Sequence, residues 1–352
     1  MKSDKAPLAT FTPETLSQAL EAPGFERYRA EQVLDWFYSK GAREFREMKN
    51  VSAPVIAWLE EHCLMSSSRL AAAHDAGDGS VKLKIALADG ETIEAVIIEA
   101  AKRVTLCVSS QAGCPLACQF CATGAAGFAR NLDALEIVEQ ALHAASLVGR
   151  EERISNIVVM GMGEPCLNLD AVLDAVRVFN APWAFGIGAR KITVSTIGYP
   201  KCIARLADFP MEVGLAISLH AATDDLRRRL CPHAPASISE TVAAAMKYFD
   251  KTGREVTFEY VLLAGVNDRP EDVDALAALL SGRQVFVNLI PYNEVEGLPF
   301  RRPSPKKLAG FRRSLRAKGL NAEIRESRGG GARAACGQLR LETAKTGRGA
   351  RA

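Results

Sequence analysis

The spacing of hydrophobic and polar positions changes along the chain. In the first 75 residues, the apolar positions of "YRAEQVLDWFYSKG" recur at helical intervals up to Gly41, a typical C-cap. Thr12 followed by Pro13 indicates a helix N-terminus, and "APVIAWLEEHC" predicts another helix. The pattern therefore predicts a small helical unit over residues 1–75.

Beyond residue 75 the spacing becomes that of strands. "VKLKIAL" and "ETIEAVIIE" alternate on either side of Asp89-Gly90, which predicts a β-hairpin. From Thr105 onward strands alternate with helices, one of which is expected to begin at Asn131 and end at Gly149. This order predicts a parallel α/β sheet, either doubly wound or a partial (β/α)6 barrel. The predicted strands are "TLCVSS", "ISNIVVM", "KITVST", "VGLAISL", "VTFEYVLL" and "QVFVNLI".

Polar segments follow five of these six strands. In parallel α/β folds the C-terminal ends of the strands meet at one edge, where binding and catalytic sites form. Five polar segments, each directly after a strand, predict a single pocket and favour the partial barrel over the doubly wound sheet. The segments are "CVSSQAGCPLAC", "GMGEP", "STIG", "SLHAA" and "PYN".

Length and composition indicate a globular protein. A chain of 352 residues predicts two domains, or one large domain with additions. No apolar run reaches the ~18 residues of a membrane span, and "MKSDKAPLAT" lacks the apolar core of a signal peptide. The expected location is the cytoplasm. The nine cysteines are then expected to be free, metal-bound or catalytic, not joined in structural disulfides.

Positive charge is concentrated at the C-terminal end. Residues 301–352 hold fifteen Lys or Arg against three Asp or Glu, a balance of +12 in a chain of net charge +3. A basic region of this kind is typical of proteins that bind RNA or DNA, and Arg312, Arg313 and Arg316 are candidate phosphate contacts. A solvated helix face is the equally weighted alternative. The N-terminal helical unit likewise has two possible roles: structural packing, or an accessory domain that binds RNA.

Three cysteines lie within eight residues, in "GCPLACQFCATG". Cys114, Cys118 and Cys121 have the spacing C-x3-C-x2-C. A structural zinc site needs four protein ligands, and Cys107 or Cys166 would have to complete it. A [4Fe–4S] cluster is also bound by thiolates, and three of them leave one iron open for a substrate. The missing fourth ligand favours the cluster.

The three-cysteine motif resembles the signature of the radical S-adenosylmethionine (SAM) superfamily, with Phe120 before the last cysteine. The resemblance implies that SAM binds the open iron through its amino and carboxylate groups, and that Glu164 of "GMGEP" accepts the SAM ammonium group. A strand-to-helix turn is the alternative role of "GMGEP". The residues implied in SAM binding are Gly163, Glu164, Ser195, Ser218, Leu219, His220 and Asn293.

Longer segments resemble one family of this superfamily. "RVTLCVSSQAGCPLACQFCATGAAGFARNL", "LAISLHAATDDLRRRL" and "AACGQL", among others, are similar to the RlmN/Cfr family of radical SAM RNA adenine methyltransferases. The resemblance covers nearly the whole chain. It implies an N-terminal helical RNA-binding domain (1–75), a β-hairpin extension (76–104), a partial (β/α)6 barrel (105–328) and a C-terminal loop with a basic tail (329–352).

"GFARNL" and "CATG" resemble the RlmN branch, which methylates carbon 2 of adenosine, whereas the Cfr branch methylates carbon 8. The resemblance implies 23S rRNA and tRNA as partners, a [4Fe–4S] cluster and SAM as cofactors, and a reducing donor such as flavodoxin. It further implies a monomer that does not bind membranes. The alternatives are a Cfr-like enzyme or a paralogue acting on another RNA, and a zinc-stapled RNA-binding protein without catalysis.

Three more residues take their roles from the resemblance alone. Carbon 2 of adenine is electron-poor and cannot attack a SAM methyl group. The resemblance implies that the Cys336 thiolate first takes a methyl from one SAM. A radical from a second SAM then activates that methyl to add to the base. Glu94 removes the carbon-2 proton, and Cys107 attacks the Cys336 sulfur to release the product and leave a transient disulfide.

The chain departs from the family pattern at three places. "RGGGAR" precedes "AACGQL", with glycines at 329–331 and Arg333 where acidic residues are usual. Cys166 follows "GMGEP" where an aliphatic residue is typical, and "CPHAPAS" (231–237) is unlike the usual segment. We expect these departures to affect substrate choice more than chemistry.

Overall fold

The fold is seen in a computed structural model, which describes residues 5–100, 103–148, 152–325, 329 and 335–339. All six predicted strands are present, as β6 and β9 to β13 of the numbering that follows. The strands are β1 (Ala6–Pro7), β2 (Cys63–Leu64), β3 (Arg69–Asp75), β4 (Ser80–Ala86), β5 (Thr92–Ala100), β6 (Arg103–Cys107), β7 (Gln111–Gly113), β8 (Phe128–Asn131), β9 (Ile154–Val159), β10 (Ile192–Thr196), β11 (Gly214–Ser218), β12 (Val256–Leu262), β13 (Val285–Pro291) and β14 (Asn321–Ile324).

Ten strands form one mixed sheet, in the order β14-β13-β12-β11-β10-β9-β6-β5-β4-β3. The six predicted strands pair in parallel, each with its neighbour in chain order. A doubly wound sheet reverses its strand order at a switch point. Here the order does not reverse, and side chains from all six strands line one central cavity. The predicted partial barrel is confirmed.

Helices alternate with the parallel strands, and their apolar faces join the strands in one buried core. None of the described helices has the length and apolar composition that crossing a bilayer requires. The helices are α1 (Pro13–Glu21), α2 (Tyr28–Leu34), α3 (Ala53–His62), α4 (Ala122–Ala126), α5 (Ala134–Ala145), α6 (Leu169–Asn180), α7 (Pro200–Asp208), α8 (Asp224–Leu230), α9 (Ile238–Thr252), α10 (Pro270–Leu280) and α11 (Pro305–Ala317).

The helical unit and the hairpin form largely as predicted. Thr12 caps α1 in a reciprocal capping box with Thr15. Strands β4 and β5 are antiparallel around the turn that contains Asp89-Gly90. Residues 69–75, which the sequence analysis placed in the helical unit, instead form β3. The strand pairs with β4, and this pairing satisfies its backbone although "RLAAAHD" has little strand propensity.

The start of α5 also differs from its prediction. Asp133 is the cap: its carboxylate accepts the Glu136 N–H (2.7 Å), and the Glu136 carboxylate accepts the Asp133 N–H (3.0 Å). Asn131, the predicted cap, is the last residue of β8, and Gly149 lies outside the described residues. The reciprocal pair satisfies two free backbone donors, which a lone asparagine cannot do.

Cys166 and Cys202 form a disulfide, which corrects the expectation that no cysteine is structurally paired. Cys166 lies in the turn after β9, and Cys202 lies in α7, after β10. Neighbouring parallel strands bring the two residues to a Cα–Cα distance of 5.6 Å, within the range a disulfide can span. The expectation rested on the reducing conditions of the cytoplasm. Those conditions carry no information about which two cysteines the fold brings close together.

We expect this disulfide to stabilise the fold, because it joins residues 36 apart in the chain. Loss of a disulfide typically costs about 2–4 kcal/mol of unfolding free energy. Cys202→Ser should therefore unfold at lower temperature in anaerobic thermal denaturation. Added reductant should lower the unfolding temperature of the wild type and leave that of Cys202→Ser unchanged. Equal responses of the two proteins would contradict the prediction.

Candidate functional site

Two adjoining cavities occupy the barrel. The larger, of about 810 Å³, extends from Arg103 at the start of β6 to Cys107 at its end. The smaller, of about 170 Å³, lies against the three-cysteine segment. Both are lined by Cys121, His220 and Cys336, so the two spaces are contiguous.

The smaller cavity brings together most of the residues predicted from the sequence. They come from segments far apart in the chain, because the C-terminal ends of the parallel strands meet at this edge. Four of the five polar segments line this cavity and "PYN" (291–293) lines the larger one, so the predicted single pocket is present as two adjoining cavities. The predicted residues that line the smaller cavity are Cys114, Cys118, Cys121, Gly163, Glu164, Ser195, Ser218, His220 and Cys336.

The three cysteines are half-buried around this cavity. Burial raises the pKa of the Cys114 thiol to about 12 and also raises that of Cys121. Binding of iron must therefore displace protons from these thiols. The Cys121 N–H donates to the Cys118 carbonyl (3.1 Å), which fixes the short turn between them.

The geometry of the cysteines fits an iron–sulfur cluster better than a zinc ion. Among the residues the structure describes, no three Cys, His, Asp or Glu side chains converge on one point as the ligands of a single ion do. In a [4Fe–4S] cluster each thiolate binds a different iron, so its ligands stand further apart. Cys114, Cys118 and Cys121 could supply three such thiolates, and the cavity beside them leaves room for a fourth ligand.

Glu164 links the turn after β9 to the end of β10. Its carboxylate accepts the backbone N–H groups of Ile197 (2.9 Å) and Cys166 (3.0 Å). Burial raises its pKa to about 7. The turn role that the sequence left as an alternative is therefore present. The Thr196 side chain is also hydrogen-bonded to this carboxylate, which leaves one of its about four acceptor positions for an ammonium group.

Gly163, next to it, allows a close approach that no other residue permits. Its φ is +105°, and a Cβ atom here would lie 2.6 Å from the Gln111 side chain. Gln111 in turn accepts the Glu164 N–H through its side-chain oxygen (2.8 Å). A larger residue at 163 would displace this contact and the turn that holds Glu164.

The polar residues after β10 and β11 face the same cavity. The Ser195 and Ser218 hydroxyls are 3.3 Å apart. His220 is buried, and its Nδ1 accepts the Val261 N–H (3.2 Å). Burial, aided by the charge of Arg227, lowers the pKa of His220 to about 3. The imidazole is therefore neutral and carries its proton on Nε2, which can donate to a ligand.

Two residues predicted to bind SAM make other contacts. The Asn293 amide donates to the Cys336 carbonyl (3.3 Å), so it holds the loop that bears this cysteine. Asn293 also lines the larger cavity. Leu219 is fully buried and its N–H donates to the Glu259 carbonyl (3.0 Å). Among the described residues that line the two cavities, Leu219 is absent.

Cys107 and Cys336 both line the larger cavity. Cys336 is exposed, whereas Cys107 is half-buried. Desolvation, with a contribution from Cys336, raises the pKa of Cys107 to about 12. The Gly337 carbonyl accepts the Ala122 N–H (2.7 Å), and the Leu339 carbonyl accepts the Thr123 hydroxyl (2.6 Å). These bonds dock the Cys336 loop on the residues that follow Cys121.

Glu94 lies near this pair but outside the lining of both cavities. It is two residues from Val96, the residue of β5 that pairs with Cys107. Its side chain is buried and forms an ion pair with Lys82 (3.0 Å). The alternative of an exposed strand carboxylate is therefore wrong. Glu94 must leave or share the Lys82 contact to accept a proton from a substrate.

Two charged residues of the site were missed by the sequence analysis. Arg325, just after β14, lines both cavities, and the neighbouring Cys336, Glu259 and Cys107 raise the pKa of its guanidinium. Glu259 of β12 is buried in the same walls and accepts the Asn288 amide (2.8 Å). Glu259 could have been identified from the sequence, because it is a carboxylate within the otherwise largely apolar strand "VTFEYVLL". Arg325 lies in no motif that we identified.

Part of the basic C-terminal region is engaged within the protein. Arg312 and Arg316 of α11 both form ion pairs with Glu323 of β14. This favours the solvated-face interpretation for these two residues. Arg313, between them, is exposed. Glycines 330 and 331, Arg333 and the basic tail lie outside the described residues, while the Gly329 N–H donates to the Asp78 carboxylate (2.6 Å).

Known proteins resemble this chain over most of its length. Residues 108–280 match the "Radical SAM superfamily", and residues 7–65 match the "Ribosomal RNA large subunit methyltransferase N-terminal domain". A protein of Thermosynechococcus vestitus described as "Probable dual-specificity RNA methyltransferase RlmN" is 48% identical, covering 91% of this chain and 94% of the relative. A relative of the same description from Gloeobacter violaceus is 46% identical, over 95% of each chain.

A solved structure shares the whole fold. The crystal structure of a radical SAM methyltransferase from Sphaerobacter thermophilus superimposes with a TM-score of 0.90 at 42% sequence identity. The match covers 95% of this chain and 99% of that one. The agreement extends beyond the barrel to the N-terminal helices and the antiparallel strands, because the coverage leaves little of either chain unmatched.

Proposed function

Because this chain belongs to the RlmN family of radical SAM RNA methyltransferases, we propose that it methylates carbon 2 of adenosine in 23S rRNA and in tRNA. One observation carries the chemistry. Two cysteines, Cys336 and Cys107, face one cavity that adjoins the three-cysteine segment. A methyl carrier and a thiol that releases the product need this proximity, and a non-catalytic RNA-binding protein does not.

The cofactors are a [4Fe–4S] cluster and SAM, and in this proposal Cys114, Cys118 and Cys121 hold the cluster. When bound, the cluster supplies the electron that cleaves SAM reductively. The neutral His220 presents its Nε2–H to SAM, and the Ser195 and Ser218 hydroxyls offer further hydrogen bonds. The SAM-binding residues proposed from the sequence are Gly163, Glu164, Ser195, Ser218, Leu219, His220 and Asn293.

The two cysteines divide the methyl transfer between them. The exposed Cys336 sulfur takes the methyl group of SAM and carries it to the base. Cys107 is protonated at neutral pH, because its pKa is about 12. It must lose that proton to attack the Cys336 sulfur, and the sulfur–sulfur bond then forms as the bond between Cys336 and the methyl-derived carbon breaks. That carbon keeps the electron pair of the broken bond and takes up a proton to become the methyl group of the product. Glu94 accepts the proton that carbon 2 loses.

The parts of the chain are proposed to share the work. The helical unit (1–75) and the basic tail in 329–352 bind RNA, the hairpin region (76–104) supplies Glu94, and the barrel (105–328) holds SAM and the cluster. The match of residues 7–65 to a methyltransferase N-terminal domain supports the first assignment. From the family resemblance we further propose a monomer that acts in the cytoplasm and receives electrons from a donor such as flavodoxin.

Nucleoside analysis tests the proposed function directly. Anaerobic protein with reconstituted cluster, SAM and a reductant is incubated with 23S rRNA or tRNA, and the digested RNA is analysed by mass spectrometry. We expect 2-methyladenosine with wild type and none with Cys336→Ala. Methylation at carbon 8 would replace the proposal with the Cfr-like activity. Absence of both products with each RNA would overturn it.

A further prediction concerns the RNA surface on α11. If the exposed Arg313 contacts a phosphate, Arg313→Gln should reduce the slope of log affinity against log salt by about 0.7 to 0.9, the values per phosphate contact for single strands and for duplex DNA. Arg316→Gln is the matched control, because Arg316 already pairs with Glu323 and should leave the slope unchanged. Filter-binding titrations at several salt concentrations measure both. Equal slopes for all three proteins would extend the solvated-face interpretation to Arg313.

A further inference from the structure

The disulfide joins the two segments whose backbone holds the Glu164 carboxylate. Cys166 lies in the turn after β9, and Cys202 lies in the first turn of α7, after β10. The carboxylate accepts the Cys166 N–H through Oε1 (3.0 Å) and the Ile197 N–H, from the end of β10, through Oε2 (2.9 Å). The covalent bond and the two hydrogen bonds therefore connect the same two segments.

This arrangement fixes the direction in which the carboxylate points. One oxygen is held from the turn after β9 and the other from the segment between β10 and α7, so the two segments must stay together for both bonds to persist. The disulfide keeps the Cα atoms of Cys166 and Cys202 5.6 Å apart. Glu164 is buried, so a hydrogen bond lost by movement of either segment is not readily replaced by water.

The other link between these segments is much weaker. Arg205, one turn after Cys202 on α7, forms an ion pair with Asp170 on α6, the helix that follows Cys166. Both side chains are exposed, and exposed ion pairs of this kind contribute little to stability. The disulfide is therefore the link that we expect to restrain the carboxylate, and Arg205 provides a matched control.

The disulfide is also set apart from the cysteines of the methyl transfer. Cys202 is buried, and neither Cys166 nor Cys202 is among the residues that line the two cavities. Cys336, in contrast, is exposed and lines both. A reductant that renews Cys336 after a turnover thus reaches that sulfur more readily than the sulfur atoms of the second pair, because exchange requires access.

We propose that the Cys166–Cys202 disulfide positions the Glu164 carboxylate for the ammonium group of SAM and thereby raises the affinity for SAM. A carboxylate that is already held in its binding orientation leaves less ordering to be done when the ligand arrives. The two cysteines are positioning residues: they act through Glu164. Opening the bond should weaken the binding of SAM while leaving the backbone donors of Glu164 in the chain.

The inference rests on the proposed binding of SAM by Glu164, but it does not depend on the RNA substrate or on the adenine carbon that is methylated. It also gives a physical role to Cys166, which stands where an aliphatic residue is typical of the family. A dithiol opens the bond by exchange: each cysteine sulfur takes up one electron and one proton, and the dithiol becomes a disulfide.

Equilibrium dialysis with SAM tests the inference. Full-length protein carrying Cys336→Ala, with reconstituted cluster and no electron donor, is compared before and after anaerobic treatment with dithiothreitol, and the state of the disulfide is read from the mass of the alkylated protein. The Cys336→Ala background prevents transfer of the SAM methyl group and removes the possible disulfide with Cys107. Cys166→Ser and Arg205→Gln are added to this background as the test variant and its control.

We expect the protein with the closed disulfide to bind SAM about fivefold more tightly than the reduced protein, the scale of one hydrogen bond. Cys166→Ser keeps the backbone N–H that Glu164 accepts and should bind as weakly as the reduced protein, with or without dithiothreitol. Arg205→Gln should respond to dithiothreitol as the background protein does. 5′-Methylthioadenosine, which lacks the amino group of SAM, should bind both forms equally.

Equal SAM affinities before and after opening of the disulfide would overturn the inference and leave the proposed function standing. Equal losses for SAM and 5′-methylthioadenosine would also overturn it, because they would indicate a general loosening of the site. If dithiothreitol leaves the bond closed, Cys166→Ser decides: fivefold weaker SAM binding supports the inference, and unchanged binding overturns it. Absence of SAM binding in every form would overturn the inference together with the proposed function.

Discussion

Cys107→Ala is expected to stall as a covalent protein–RNA adduct through Cys336, whereas Cys336→Ala is expected to form no adduct and no methylated protein. In the proposed mechanism Cys336 acts early, because its exposed sulfur takes the methyl group of SAM. Cys107 is proposed to act late, by attack on the Cys336 sulfur. Removing Cys107 leaves the carbon–sulfur bond to RNA intact, because that thiol provides the proposed route of release.

The positions of the two cysteines fit these proposed roles. The Cys336 loop is docked through Gly337 and Leu339 on the segment that follows Cys121, so Cys336 stays beside the proposed cluster ligands. Cys107 lines the same cavity, and its pKa is raised in part by Cys336, which places the two sulfur atoms within electrostatic reach. The disulfide between Cys166 and Cys202 removes those two thiols as substitutes for Cys107.

The adduct can be seen as a mass shift on a denaturing gel that disappears after nuclease treatment. Cys63→Ala is the control, since it removes a thiol outside the site and should turn over normally. Normal turnover by Cys107→Ala, or an equal adduct from Cys336→Ala, would show that the roles are assigned wrongly even though the family stands. Loss of adduct after removal of SAM would confirm that it arises from the methyl transfer.

The barrel could be predicted from the sequence because each parallel strand is a local apolar run followed by a polar segment. Elements that depend on distant partners could not. Strand β3 is an alanine-rich segment that becomes a strand by pairing with β4, and β14 is a short segment that pairs with β13. The disulfide between Cys166 and Cys202 likewise depends on which strands are neighbours, and no local pattern encodes that.

The candidate site divides in the same way. Cys114, Cys118 and Cys121 were found because their spacing is itself the motif. Arg325 was not, because its importance comes from what it lies beside: it lines both cavities, as Cys336 does. Sequence reasoning identifies residues that bond to a cofactor or substrate more readily than residues that set their charge and orientation.

Two of the three departures from the family pattern lie near the proposed cofactor site. Cys166 is two residues from Glu164 and is bonded to α7, which follows the strand that bears Ser195. Cys231 packs in an apolar group with Leu116 and Phe120 of the three-cysteine segment. Neither cysteine is among the residues that line the larger cavity shared by Cys107 and Cys336. The expectation that these departures bear mainly on substrate choice stays a prediction.

Replacement of any one of Cys114, Cys118 and Cys121 by alanine is expected to abolish stable iron binding and SAM cleavage. Three thiolates leave no spare ligand, and among the described residues no group of Cys, His, Asp or Glu is placed to take over a single metal ion. Cys231 belongs to the apolar group against which Cys118 packs, but its backbone is held at the end of α8 by the bond to Arg227. We therefore expect no rescue by it.

The measurement is iron content and visible absorbance after anaerobic reconstitution, with 5′-deoxyadenosine formation as the second readout. Cys63→Ala should retain both, which controls for the loss of a buried thiol as such. The fold should persist in all three cluster variants, since the cysteines lie in a loop at the edge of the barrel and the core is formed by the strands and helices. Four irons per chain in any of the three variants would refute the ligand set, and the variant that retains them would show which thiol is dispensable.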